Sequence, residues 1–429
     1  MKTMVSAICC LFTCTGTYAA VVLSEGGTIA TVDVAAGSET TLTADDVAAI
    51  TGTGVTEFRK TGAGVLCSDE VNASLAAFAG TIRLQGGVYK IDGAGALGTD
   101  AGATYVETHA TLQVATSDAV NFGSEKFFIA GEGVEVNGSS YGALYLPTTQ
   151  TVTLKYITLT GDASVWHNGP LSIDTMLDLQ GKTFDIEPLG EFKSVWGSAT
   201  VTPGHIVYDK DGRCLNSGIN FGWTYQGGAT NTFTAGGFMN AWPAPSKTPW
   251  TWIVAHALDF RVNAGTDTAF PTSMITSVSD YLWGGPVVLN ADVTMGNADA
   301  EDGRWQIAGF KGPISGAGNI AMANSSKPLE TWFKLGSANP DWTGAISVKR
   351  DYAVVTNASL ALYPRHTGLA LLADGALTQD KLELKNAELY LGGTDSVIRL
   401  PEIETEGYGC IWGTATGVVG TVTKTGGDT

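Results

Sequence analysis

Short apolar runs fenced by glycine, recurring along the chain, most narrow what this sequence can fold into. Residues 52–67 read GTGVTEFRKTGAGVLC, where glycines close off the runs 55–60 and 65–67. Glycine packs no side chain and loses the most entropy on folding, so a fold that uses it this often needs it at turns. Inside the runs, apolar and polar residues alternate. In AGTIRLQGG, Ile82 and Leu84 share one face while Thr81, Arg83 and Gln85 share the other. A strand this short does not bury its apolar side alone, but stacking on like strands above and below does so. No long stretch carries apolar residues at i, i+3, i+4 and i+7, the pattern an amphipathic helix requires.

The pattern repeats at long range. FAGTIRLQGGVYKI at 78–91 aligns without a gap to WTGAISVKRDYAVV at 342–355, placing Phe78 on Trp342, Gly80 on Gly344, Ile82 on Ile346 and Leu84 on Val348. GAL at 95–97 returns at 375–377, ATLQV at 110–114 as AELYL at 387–391, and EFRKTG at 57–62 as TVTKTG at 421–426. The first three segments keep their order in both copies, which predicts a solenoid with an inner column of Ile, Leu and Val and glycine at the corners.

Composition agrees. Hydrophobic residues make up 44% of the 429, enough for a core, while charged residues are only 15% and glycines number 55. The net charge of −18 sets the chain against nucleic acid and anionic membrane as partners. Residues 1–19, MKTMVSAICCLFTCTGTYA, have the order of a secretory signal peptide: basic Lys2, an apolar run, then Thr17 and Ala19 before the cleavage point. An alternative makes Cys14 a lipidated residue after Leu11, which Phe12 and Thr13 fit poorly. Beyond the leader no apolar run is long enough to span a bilayer, so no integral membrane segment is expected in the mature chain. Cys67, Cys214 and Cys410 are odd in number and far apart, which excludes a disulfide scaffold and a zinc module and predicts buried thiols.

These residues resemble the autotransporter-associated β-strand repeat of large secreted bacterial proteins. The family's head, Lys-Thr-Gly-x-Gly-x-Leu, is carried by Lys60, Thr61, Gly62, Gly64 and Leu66, and its later strand by Gly80 and Ile82. The resemblance covers roughly 50–115 and 305–429. It implies a right-handed parallel β-helix acting as a passenger-type stalk or adhesin outside the cell, with an extracellular polymer or a cell-surface receptor as partner. The expected organisation is a leader at 1–19, solenoid repeats at 20–120, a less regular solenoid region at 121–300 and further repeats at 301–429. The stretch 222–260, rich in aromatics and proline, is expected to leave the coils or to form a less regular sheet. The sequence ends inside a new TKTG head, with no amphipathic strands of a C-terminal membrane barrel. That ending points to a piece of a longer protein or to another means of anchoring.

Parallel β-helices also carry polysaccharide-cleaving enzymes, so carboxylate pairs matter. Glycoside hydrolysis needs two of them about 5–10 Å apart. Asp174 with Asp178 and Asp209 with Asp211 are the pairs the sequence offers, among 42 acidic residues that make such spacings common. No Gly-His-Gly or Arg-Ile-Lys of the β-helical galacturonases is present. YDKDGRC at 208–214 and DAEDG at 299–303 place glycine wrongly for a calcium loop and read as turns. The five histidines are scattered without metal spacing, and GAGALG and GEGVEVNG lack the following helix that a phosphate loop needs. No cofactor or metal is expected, and no catalytic residue is assigned. Trp242, Trp250 and Trp252, with Tyr225, form the one aromatic concentration. They offer a flat platform for a sugar ring, or else pack the excursion onto the solenoid. The reading is therefore a structural or adhesive stalk, with a glycan-binding or carbohydrate-active protein as the alternative.

Overall fold

The structure, a computed structural model, describes residues 20–69, 74–136, 139–188 and 194–208. Between 217 and 295 it describes 217–219, 224–225, 229–234, 238–241, 254–256, 259–263, 273–277, 282–283 and 286–295. Beyond these it describes 306–310, 312–322, 331–349, 367–392, 395, 397–419 and 422–425. The chain winds as a parallel β-solenoid, and 37 of its strands join one hydrogen-bonded system.

The coil has three sides, here called A, B and C. Side A starts with Ile29–Asp33, Glu57–Thr61, Thr81–Leu84, Thr104–Val106 and Lys126–Gly131, each parallel to the next. Side B runs from Glu39–Thr41 through Val65–Ser68, Gly87–Ile91, Ala110–Val114 and Leu144–Leu146, and on to Ile314–Gly316. Side C begins as helix. Ala44–Ile50 and the 3-10 turn Ala94–Leu97 occupy it in the early coils, and from Val120–Asn121 onward it is strand. In the middle of the chain all three sides are sheet, so the 16-residue strand Val152–His167 and the strand Leu171–Asp178 each bend across more than one side.

Alternation builds the core as expected. Ala30, Phe58, Ile82, Thr104, Phe127, Ile157, Leu177 and Val201 form one inward row in register, and each is buried. Burying such apolar side chains contributes about 1.5–3 kcal/mol each, and every coil adds several. The paired row runs Val32, Lys60, Leu84, Val106, Ile129 and Leu159, so a lysine takes a core position. Lys60 is 0% exposed, and its Nζ donates to the carbonyls of Gly62, Gly64 and Gly86 at 2.6, 2.7 and 2.7 Å. That explains the Lys-Thr-Gly-x-Gly head physically. The corner turns its carbonyls inward, and the ammonium supplies the three donors they need. Gly62 has φ +72°, and a Cβ there would lie 2.3 Å from Val34 O, so only glycine fits this corner.

The helix Ala44–Ile50 was not foreseen. Thr43 caps it reciprocally with Asp46, each accepting the other's backbone N–H, and Ile50 plugs the core from it. One expectation is narrowed and another is corrected. The strands described within 222–260 stay in the coil: Thr224–Tyr225 pairs on side A, Ala229–Thr234 on B and Phe238–Ala241 on C. Residues 242–253 lie outside those described. Cys67 is not a core thiol. It faces outward between inward Leu66 and Ser68, half-buried, and bonds Glu39 at 3.1 Å.

Candidate functional site

Because inward positions build the core, any site must come from outward side chains and corners. On side A the outward row reads Arg59, Arg83, Tyr105, Phe128. Arg83 pairs with Glu57 (3.4 Å) and Glu107 (3.0 Å) and lies over the Tyr105 ring at 4.5 Å. Tyr105 stacks on Phe128 at 4.6 Å and 10°. The ring spacing is that of adjacent strands, so each ring covers its neighbour's face and turns an edge outward. This row ties coil to coil, with Tyr105 covered on both faces by Arg83 and Phe128.

The corner carboxylates behave likewise. Asp33 accepts from Thr61 Oγ1 at 2.8 Å, Asp162 from Thr183 N at 2.8 Å, Asp174 from Ser198 N at 3.2 Å, and Asp178 from Thr202 Oγ1 at 2.7 Å. Asp292 accepts from Asn319 N and Asp374 from Arg399 N further along. In each case an acid of one coil caps a donor of the next. Asp174 and Asp178, the described carboxylate pair of the sequence reading, are therefore fasteners between coils. The strand also bulges at Thr175, φ +78°, between them. Asp209 and Asp211 lie outside the described residues.

Side B carries a different surface. Its outward row runs Tyr145, Trp166, Glu187 in direct register, and the parallel row places Ser164 beside Asp185. A hairpin of Glu135–Val136 and Ser139–Ser140 rises next to it. Its base is clamped by Thr111, whose hydroxyl donates to Gly142 O and accepts from Val134 N, both at 2.9 Å. Tyr141, leaving the hairpin, stacks on Tyr145 at 4.7 Å and 11°, and Gly142 abuts Trp166 so closely that a Cβ would lie 3.1 Å from its Cδ1. Ser164 is 1% exposed although it faces outward, and its Oγ has no hydrogen-bond partner among the described residues. No motif announced this patch. Its members come from strands about one coil apart and meet only through register.

A cavity of about 240 Å³ opens where side C meets side A, lined in part by Asp100, Asn121 and Glu125. Burial pushes the Glu125 carboxyl up to about 7, against the Thr104 hydroxyl that donates to it at 2.8 Å. Burial, reinforced by Glu39, raises the Cys67 thiol to about 12, so it is not a nucleophile at neutral pH. His109 is exposed, and buried His167 sits with Nδ1 2.8 Å from Gly169 O. Among the described residues no group of three or more His, Cys, Asp or Glu side chains is arranged to hold a metal ion. No described helix is long and apolar enough to cross a membrane.

Trp242, Trp250 and Trp252 lie outside the described residues. The backbone of Tyr225 is in register with Val201. No protein-family model, no curated protein and no solved structure matches the chain.

Proposed function

We propose that this chain is a secreted or cell-surface structural stalk with an adhesive role, built like the passenger segment of the autotransporter-associated repeat proteins it resembles. The observation that carries the reading is the use made of outward side chains. Aromatic stacks, the Glu57–Arg83–Glu107 ion pairs and the corner carboxylates all join one coil to the next. Each such surface link contributes at most about 1 kcal/mol, but a chain of coils adds them along one axis, as a load-bearing rod requires. The acidic surface and the leader-like residues 1–19 support a place outside the cell.

We read the chain as non-enzymatic, since its one described candidate carboxylate pair is engaged in the fold. The test is location and attachment. Antibody to residues 80–130 should label intact producing cells, protease added outside should remove the label, and deletion should reduce attachment to a surface. Label found only after lysis would contradict the proposal.

A further inference from the structure

Side C changes from helical turn to strand between two successive coils. The 3-10 turn Ala94–Leu97 has no strand edge to offer Val120–Asn121, which pairs forward with Val152 and Thr153 instead. Between the corners that follow these two elements lies the cavity of about 240 Å³, and Glu125 lines it while only 4% exposed. The Glu125 carboxyl accepts from the hydroxyl of Thr104, a fully buried member of the inward row one coil back. We infer that this corner is a proton-controlled joint: the uncharged Glu125 carboxyl keeps the two coils closed on each other, and its ionisation opens the corner to water.

The charges around the cavity are few. Of the residues lining it, only Asp100 and Glu125 are ionisable. Burial opposes ionisation of Glu125 most strongly, and Asp100 on the preceding corner opposes it too, while the Thr104 bond and neighbouring Lys126 favour it. Ala94–Leu97 and Phe122 bring no titratable group, and Tyr105 faces outward onto Phe128. A carboxylate kept from water costs far more than the neutral acid among Leu97 and Phe122. Relief is available locally. The cavity is wide enough for several waters at about 30 Å³ each, and nothing stands within 4 Å of the Cβ direction of Gly123, so the corner has room to swing. The closed corner therefore holds its proton more tightly than the open one. Linkage then makes opening more frequent as pH rises from the ordinary 4.5 to about 7, where the effect levels off. The joint does not depend on the stalk reading, since it acts in the isolated chain.

Hydrogen exchange of the full chain, followed by mass spectrometry at pH 5 and pH 8 and corrected for intrinsic rates, tests the inference. Exchange in peptides spanning 94–102 and 120–126 should rise about tenfold or more with pH, and exchange across 152–166 should not. A smaller rise, or an equal rise across 152–166, would overturn the joint. Glu125→Gln is uncharged at both pH values and should leave the corner as protected at pH 8 as at pH 5. The native rise persisting in that folded variant would also overturn it. Asp100→Asn, at an exposed position, removes the opposing charge without touching Glu125. It should lower the pH at which the rise levels off, and an unchanged profile contradicts the joint even where Glu125→Gln does not fold.

Discussion

Phe78 and Trp342 occupy the same place in the local motif and different places in the coil. Each is buried, each packs against a glycine two residues on, and each precedes an alternating strand. Yet the strand after Phe78, Thr81–Leu84, belongs to side A, while the strand after Trp342, Ile346–Lys349, belongs to side C. The other matched segments shift by the same one side. ATLQV at 110–114 lies on B, and AELYL at 387–391 takes the place of A. The repeat thus preserves a corner followed by two strands, and the C-terminal copy is turned one side around the axis. The middle of the chain, with strands on all three sides, makes the turn.

Equivalent corners should respond equally to truncation. Trp342→Ala removes a fully packed ring and the Nε1 bond to Gly318 O (2.9 Å), and should cost about 3–5 kcal/mol. Phe78→Ala should cost a similar amount. Trp342→Phe keeps one aromatic ring but drops the bond and part of the packing, for about 1–3 kcal/mol. Urea unfolding followed by circular dichroism ranks the three.

Lys60 gives a pH signature with a definite sign. Burial lowers its pKa to about 8, against 10.5 for the free side chain, with Asp33 opposing. Between those values the unfolded chain binds more protons, so this residue makes stability rise with pH from about 8 to 10.5. Lys60→Met should flatten that rise and destabilise the fold at pH 7 by leaving three corner carbonyls without donors, about 1–3 kcal/mol. Urea midpoints at pH 7, 9 and 10 check both effects.

Glu125 works in the opposite direction. Its folded pKa of about 7 exceeds the ordinary 4.5, so its contribution is fully present below about 4.5 and is lost as pH climbs through 7. Glu125→Gln keeps an acceptor for the Thr104 hydroxyl and removes the charge. The variant should be more stable than the native chain at pH 8 and no more stable at pH 4, read from melting temperatures.

Two glycines separate backbone strain from close approach. Gly123 has φ +60° and open space around its Cβ direction, so Gly123→Ala should cost about 1–2 kcal/mol. Gly62 has φ +72° and also faces Val34 O at 2.3 Å, so Gly62→Ala should cost clearly more. Equal losses would mean that the corner yields.

The coil itself was legible because alternation and glycine spacing are local. Ile82, Leu84, Leu112 and Val114 face inward as their two-residue period requires. The side each strand occupies was not legible, since a period of two is identical on every side of a coil. The helix at 44–50 was signalled by Thr43 and Asp46, but by an aspartate where a capping box usually has glutamate or glutamine. The side B patch left no trace in sequence. Ser164 meets Asp185, and Trp166 meets Glu187, only because one coil happens to take 21 residues there.

Stacking along a single axis is tested most directly by a spin-label ruler on side B. Lys90 and Glu187 are separated by four successive pairings, and Lys90 and Val288 by eight. At roughly 4.8 Å per coil, double electron–electron resonance should give distances of about 19 and 38 Å, the second twice the first. Two similar distances, or the larger for Glu187, would contradict the stacked solenoid.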